Sequence, residues 1–322
     1  MAAFLFSEAQ LRSDLPSFAS GFSLEEEEAA RIHAGSFIID LVRRLNRKGG
    51  AQLAESEIAV AMIFVHRFFT RHSMSVFDFR DVAAISVFVA AKAANKQRTL
   101  DRLVADWWRM KFPGQEYLEK TVMRQLEAIF VQLETLLEAT LQFELEVLVP
   151  HLFVANTLKK LGACKIVKAT AYYYATDLLH ITHWCLTYTS QELALVAIRV
   201  AFDSVGLEFP KNGAAAWVAQ LAPSLDEATL GRLANRFRSK LTETRAWIPN
   251  ISSLTFAAIN GLRLDALKME SERQLKLVPR VAKESGSSQL NASVTSEEPA
   301  TPRPSTPREP RIFRENGRRV IM

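Results

Sequence analysis

Residues 82–92 read Val-Ala-Ala-Ile-Ser-Val-Phe-Val-Ala-Ala-Lys, an apolar run with no charge before its last residue, Lys92. This composition predicts a buried helix over about 80–94. Further along the chain, Glu134 stands within a second apolar repeat, which consists of Leu133, Leu136, Leu137, Leu141 and Phe143. A charge on each of two largely apolar helices is costly unless the two charges meet each other or a partner. The sequence therefore singles out Lys92 and Glu134 as one candidate site.

The composition favours an all-α protein with a sizeable core. A chain of 322 residues is long enough for two domains, and 48% hydrophobic with 23% charged residues is normal for a globular protein. Glycine is scarce, at 12 residues, and the apolar residues recur mostly at helical spacing. The two cysteines, Cys164 and Cys185, exclude a disulfide scaffold and a four-cysteine zinc site, and they suit a reducing compartment.

Hydropathy and charge narrow the range of partners. No apolar run approaches the roughly 20 residues that span a bilayer, and the N-terminus lacks the basic start of a signal peptide. We therefore expect a soluble, intracellular protein without a membrane partner. The net charge is +5, but residues 246–322 hold 12 basic and 8 acidic residues, which leaves +1 for the first 245. A nucleic-acid-binding face is not indicated, although a local basic patch stays open.

The helical pattern divides into two series. Ser23 and Glu26 form a capping-box pattern that opens the first helix. Further helices are expected over about 55–71, 80–94 and 98–110, followed by a long fifth helix that ends near Leu141. Pro150 opens a second series, expected over about 150–161, 164–178, 190–205 and 225–243, with a loop over 206–217. Because five helices are followed by a comparable series, the fold class predicted is all-α, with two consecutive five-helix bundles.

The two ends of the chain differ from this pattern. Residues 1–21 form an N-terminal extension with scattered apolar groups. Beyond Pro249 one more helix fits residues 251–277. From Lys283 onward Ser, Thr, Pro, Gly, Glu and Arg dominate, so the C-terminal tail is expected to be disordered.

Several motifs, in the right order and spacing, resemble the cyclin family, and most closely transcriptional cyclins of the T and K types. The motifs are V-H-R-F-F (65–69), V-F-V-A-A-K (87–92), L-E-T-L-L-E-A-T-L-Q-F-E-L (133–145), A-T-D-L-L-H-I-T (175–182) and L-T-Y-T (186–189), with R-R-L-N (43–46) and Trp217 in support. The resemblance covers roughly residues 22–248. It implies a first, kinase-binding cyclin box at 22–148, a second cyclin box at 149–248, an extension at 1–21 and a tail at 249–322.

The resemblance also implies a function. In cyclins the lysine of helix three and the glutamate of helix five contact a kinase near its αC helix, and these positions are Lys92 and Glu134. The neighbouring positions on this kinase-binding surface are Phe88, Asn95, Phe143 and Leu145. The chain is then expected to be a non-catalytic subunit that binds and activates a cyclin-dependent kinase in the nucleus. That kinase would phosphorylate the RNA polymerase II C-terminal domain and so promote transcription elongation.

One departure from the family, two alternatives and a further reading without a kinase stay open. Cyclins of this type often carry two acidic residues after the lysine motif, whereas this chain has Ala93, Ala94 and Asn95. A cyclin of the L or Q type with another kinase is one alternative. The other is a DNA-binding general transcription factor with a cyclin fold, but that family has an N-terminal zinc ribbon and no cysteine precedes Cys164. A helical scaffold without a kinase is a third reading.

Nothing in the sequence indicates catalysis or a cofactor. Nucleotide-binding, metalloprotease and esterase motifs are absent. His180 and His183 with Cys185 are spaced as metal ligands, but no fourth ligand is apparent, so no metal is expected. In the tail, Thr301 and Thr306 each precede a proline and are candidate phosphorylation sites. The tail arginines suit nuclear entry, nucleic-acid contact or simple solubility.

Overall fold

The helices of the computed structural model, which describes residues 4–47, 49–115, 117–210, 214–247, 314–315 and 318–319, confirm the all-α prediction. In chain order they are α1 (Glu8–Ser13), α2 (Pro16–Ala19), α3 (Leu24–Arg47), α4 (Glu55–Phe68), α5 (Phe79–Ala93), α6 (Leu100–Lys111), α7 (Lys120–Thr140), α8 (Pro150–Lys160), α9 (Lys165–Ile181), α10 (Ser190–Val205), α11 (Ala214–Leu221) and α12 (Glu227–Trp247). Helices α3–α7 form the first bundle and α8–α12 the second.

Helix α5 is the centre of the first bundle. The side chain of Asp78 caps its N-terminus by accepting a hydrogen bond from the Arg80 N–H. Every residue from Val82 to Ala91 is buried, since α3, α4, α6 and α7 all pack against this helix. The uncharged run 82–91 is therefore the core of the bundle. Lys92 reaches the surface only because it lies at the end of the helix.

Helix α7 packs at the edge of the first bundle and leaves much of its surface open. Only Phe130 and Leu137 are buried along its 21 residues. Apolar side chains such as Ile129 and Val131 remain about half exposed. A helix with this much exposed apolar surface is suited to contact a partner.

Helix α10 has the corresponding central position in the second bundle. Thr189 and Glu192 form a capping box at its N-terminus, and α8, α9, α11 and α12 pack around it. The loop expected over 206–217 is only partly correct, because α11 begins inside it at Ala214. Packing explains the difference, since the Trp217 ring lies 5.5 Å from that of Phe209 and both rings contact the core.

The N-terminal extension is folded onto the second bundle. Its short helices α1 and α2 bring Leu11 and Leu15 against Leu186, which belongs to a 3₁₀ turn. The Phe6 N–H donates to the Leu186 carbonyl at 2.7 Å, and Glu8 forms an ion pair with Arg236 at 2.7 Å. This segment is thus held by backbone, ionic and apolar contacts together.

The C-terminal segment is described at only four positions. Arg314–Glu315 (β1) pairs antiparallel with Arg318–Arg319 (β2). The helix expected at 251–277, the disordered tail and the candidate sites Thr301 and Thr306 otherwise lie outside the described residues. Among the described helices, none combines the length and apolarity needed to cross a bilayer.

Candidate functional site

Lys92 and Glu134 contact each other, which is one of the two arrangements that the sequence left open. The Lys92 Nζ atom donates to Glu134 Oε1 at 2.6 Å, which joins the end of α5 to the middle of α7. Lys92 is 44% exposed and Glu134 is 13% exposed, so the pair lies at the surface with the carboxylate on the sheltered side. An exposed ion pair adds little stability by itself. Its geometry instead fixes the direction in which the ammonium group points.

Phe88 supports the same lysine from one helical turn earlier. Residues four apart lie on one face of a helix, and the Lys92 Nζ atom is 5.6 Å from the centroid of the Phe88 ring. The ring itself is 8% exposed and belongs to the core. Lys92 is therefore held between a carboxylate and an aromatic face, with part of its surface left for a partner.

Asn95 ends α5 in a left-handed conformation, with φ of 55°. Its N–H donates to the Lys92 carbonyl, and the Lys96 N–H donates to the Ala91 carbonyl at 2.8 Å. This is the Schellman arrangement, in which asparagine is tolerated better than most residues. Asn95 is exposed, and its backbone holds the last turn of the helix that carries Lys92. The sequence suggested only a contact role for this residue.

The turn after α7 presents an aromatic ring to solvent. Gln142 and Phe143 both have left-handed backbones, with φ of 55° and 59°. Such a conformation costs about 1–3 kcal/mol for a residue other than glycine and is concentrated at functional sites. The Phe143 side chain is nevertheless 70% exposed. A strained turn that displays a large apolar side chain is typical of a binding surface.

Leu145 and Val131 extend this apolar surface. Leu145 is partly buried and packs against the core. Val131 is 49% exposed and lies three residues before Glu134, hence on the same face of α7. Sequence reasoning missed Val131, because an apolar residue in an amphipathic repeat reads as core. Only the shallow packing of α7 reveals it.

The two histidines near Cys185 are buried or partly buried, and His180 is held by contacts with α3. The His180 Nε2 atom lies 3.0 Å from the Ile32 carbonyl oxygen and 2.9 Å from Ser36 Oγ. Both partners belong to α3, so the ring of His180 is held against that helix. Burial, followed by the nearby Arg31 charge, lowers the pKa of His183 to about 4. Within the described part of the chain, no group of three or more metal-binding side chains comes together.

The chain is similar to known proteins over most of its described length. A family model described as the cyclin-T2-like C-terminal domain matches residues 149–240. Cyclin-T1.1 of Caenorhabditis elegans is 30% identical over 211 residues, which cover 63% of this chain and 45% of that protein. Cyclin-T2 of Mus musculus is 28% identical over 249 residues, which cover 76% and 34%. The chain thus spans less than half the length of these relatives.

Solved structures share the fold. A chain of the yeast RNA Pol II CTD kinase CTDK-1 complex has a TM-score of 0.59 at 13% identity, covering 73% of this chain and 71% of that chain. A chain of the CAK complex from Chaetomium thermophilum bound to ATP-gamma-S has a TM-score of 0.52 at 16% identity, covering 91% and 95%. Together with the motifs and the match over the second bundle, these likenesses identify the chain as a cyclin-fold protein that resembles the transcriptional cyclins of the T type.

Proposed function

We propose that this chain is a regulatory cyclin subunit that binds and activates a transcriptional cyclin-dependent kinase. The binding surface consists of Phe88, Lys92, Asn95, Glu134, Phe143 and Leu145. The kinase phosphorylates the RNA polymerase II C-terminal domain, which promotes elongation, and the complex acts in the nucleus. The observation that carries the proposal is the Lys92–Glu134 pair at the surface, together with the exposed ring of Phe143 in the turn that follows α7.

The geometry suits recognition of a kinase αC helix. A kinase is competent only when its αC glutamate pairs with the strand lysine that holds the ATP phosphates. A partner that binds the competent arrangement more tightly shifts the kinase toward it. Because other helices pack around α5, Lys92 projects from a rigid support. Binding to such a preorganised surface costs little conformational entropy.

The pair gains importance on binding. In the free chain Lys92 is nearly half exposed, so solvent screens its charge. When a partner covers the surface, the ion pair becomes buried, and truncating one member of such a pair costs about 2–5 kcal/mol. Phe143 supplies the aromatic anchor that interfaces favour.

The test is kinase recovery from native lysate with tagged full-length chain, read by mass spectrometry and by phosphorylation of a polymerase-tail peptide. Replacing Lys92→Ala with Glu134→Ala is expected to reduce kinase recovery at least tenfold while leaving the melting temperature nearly unchanged. A matched control is Lys240→Ala with Glu28→Ala, which removes another half-buried interhelical pair, at 2.5 Å, between α12 and α3.

Undiminished recovery with the Lys92–Glu134 variant would sink the assignment of the surface, and so would an equal loss with the control. The identity of the captured kinase separates the T, L and Q types. Capture of promoter DNA without a kinase would favour the general transcription factor instead.

A further inference from the structure

A basic groove runs along α3 on one side of the first bundle, from the start of α5 to the end of α3, where Arg102 of α6 donates to the Leu45 carbonyl. It runs between α3, the start of α5 and the end of α6, and has a volume of about 640 Å³. Its apolar part consists of Phe37, Phe79, Met110 and Pro113. Five arginines line it, and they are Arg43, Arg44, Arg47, Arg80 and Arg109, with Asp40 as the one acidic lining residue.

Three of these arginines are already positioned by carboxylates. Arg43 pairs with Asp40 at 3.2 Å, and Arg109 lies 3.4 Å from an Asp106 oxygen. Arg80 pairs with Asp78 at 2.8 Å. These ion pairs orient the three guanidinium groups. Asp40, the acidic side chain that lines the groove, is already paired with Arg43.

Arg44 and Arg47 supply the excess positive charge. Both are exposed in the last turn of α3, and neither forms an ion pair with another residue in the described ranges. Cations are favoured at a helix C-terminus, which accounts for these two arginines and for Arg109 in the last turn of α6. It does not account for Arg80 at the start of α5, where a positive charge is disfavoured. Three helices thus bring arginines to one groove.

We propose that this groove binds a phosphorylated peptide segment, with the phosphate of a phosphoserine or phosphothreonine held by Arg44 and Arg47. The planar guanidinium group binds phosphate oxygens through two parallel hydrogen bonds, which lysine cannot reproduce. The apolar part beside the arginines offers a place for the residues that flank the phosphate. An unphosphorylated peptide would leave both cations without a counter-charge.

The shape and charge of the molecule favour a peptide over a nucleic acid. A single-stranded nucleic acid is bound along an extended basic track with aromatic stacking platforms. Here the first 245 residues carry a net charge of only +1, which leaves little excess positive charge for an extended track. Binding of a phosphopeptide in this groove is a property of the chain alone and requires no kinase. Arg80, at the opposite end of the groove from Arg44 and Arg47, is twelve residues from Lys92 along α5, or about 18 Å at 1.5 Å per residue.

The experiment measures binding of the full chain to fluorescein-labelled peptide libraries by fluorescence anisotropy. One degenerate library has phosphothreonine at its fixed central position, a second has threonine and a third has glutamate. The phosphothreonine library is expected to bind at least tenfold more tightly than the threonine library, and the affinity falls as salt rises. Equal affinity of the phosphorylated and unphosphorylated libraries overturns the proposal. Tighter binding of oligouridylate than of the phosphothreonine library also overturns it.

Charge-matched variants locate the site. Arg44→Glu with Arg47→Glu is expected to lower affinity for the phosphothreonine library at least tenfold. Lys159→Glu with Lys160→Glu makes the same charge change in the last turn of another helix, α8, and is expected to leave affinity within about twofold. An equal loss in both pairs contradicts the groove assignment. The milder Arg44→Lys with Arg47→Lys keeps the charge, so its partial loss of affinity tests bidentate binding even where the reversed charges impair folding.

Discussion

The Nε2 atom of His66, in α4, lies 2.8 Å from the carbonyl oxygen of Leu179, in α9, and so joins the two helical bundles. On the other side of the ring, the Arg31 Nη1 atom is 3.2 Å from Nδ1. Because arginine can only donate, Nδ1 accepts and Nε2 carries the proton. Burial, followed by the Arg31 charge, lowers the pKa of His66 well below its usual value. The histidine of the V-H-R-F-F motif is therefore a neutral connection between the bundles.

Removing this connection should destabilise the whole fold. We expect His66→Leu to lower the free energy of unfolding by about 2–4 kcal/mol, because the Leu179 carbonyl and Arg31 both lose a buried partner. Urea unfolding followed by circular dichroism measures the change. His72→Leu is the matched control, since the His72 side chain is partly exposed and makes one hydrogen bond, to Thr140 within the first bundle. We expect it to cost less than about 1 kcal/mol, and equal costs would contradict the special role of His66.

Buried histidines should also make the stability depend on pH. Burial lowers the pKa of both His151 and His180 to about 4, from an ordinary value of 6.5. Between these values the unfolded chain binds more protons than the folded chain, so stability is lost as pH falls from about 6.5 toward 4. The slope is at most about 1.4 kcal/mol per pH unit for each histidine.

Urea midpoints measured at several pH values between 7.5 and 4.5 test this prediction. His151→Gln should make the decline shallower, because glutamine does not titrate. Burial alone would raise the pKa of Asp78, but hydrogen bonds from Arg80 and Lys111 outweigh it and lower the value to about 2. The contribution of Asp78 is therefore lost only below its usual pKa of 3.8, outside this window. A stability that stays constant from pH 6.5 to 4.5 would count against neutral buried histidines.

Two helical glycines should respond to alanine with opposite signs. A Cβ atom at Gly35 in α3 would overlap the His180 ring, whereas one at Gly231 in α12 would meet nothing within 4 Å. We expect Gly35→Ala to destabilise the protein by about 1–3 kcal/mol through overpacking. Gly231→Ala should stabilise it by about 0.5–1 kcal/mol through helix propensity. Thermal melting of both variants measures the difference, and equal signs would refute the close approach of α3 to His180.

The strained turn after α7 should separate stability from binding. Glycine adopts positive φ without a steric cost, so Gln142→Gly and Phe143→Gly should each raise the free energy of unfolding by about 0.5–1 kcal/mol. Only Phe143→Gly removes the exposed ring, and we expect it alone to reduce kinase recovery. Urea unfolding and affinity capture on the same samples measure both effects. Retained capture with Phe143→Gly would exclude the ring as an anchor.

Local sequence signals predicted much of the fold. The predicted helix over 80–94 corresponds to α5 at Phe79–Ala93, and the one over 190–205 has the bounds of α10. Both helices have long apolar runs and side chains that cap their N-termini, and these signals are contained in a few neighbouring residues. Helix α11 was not predicted because Pro210 and Gly213, which precede it, are residues that favour a loop. Its formation depends on the contact of Trp217 with Phe209, which no local pattern contains.

The residues of the candidate site could be predicted from the sequence, but the backbone conformation of two of them could not. Lys92 and Glu134 could be matched because each charge interrupts an apolar helix and both stand in recognisable motifs. The left-handed backbones of Asn95 and Phe143 could not be predicted, since neither residue is a glycine. They are set by the hydrogen bonds that end α5 and α7.

The sequence by itself determined the helical class, the positions of most helices and the choice of Lys92 and Glu134 as one candidate site. These features follow from side-chain periodicity and capping, which act within a few turns of the chain. Only the tertiary structure decided that His66 joins the bundles, that Phe143 is displayed to solvent and that arginines distant in sequence line one groove. The reason is physical, because helix packing determines which side chains distant in sequence become neighbours. A nearly neutral net charge gives no information about a local cluster of arginines that forms only when the helices pack together.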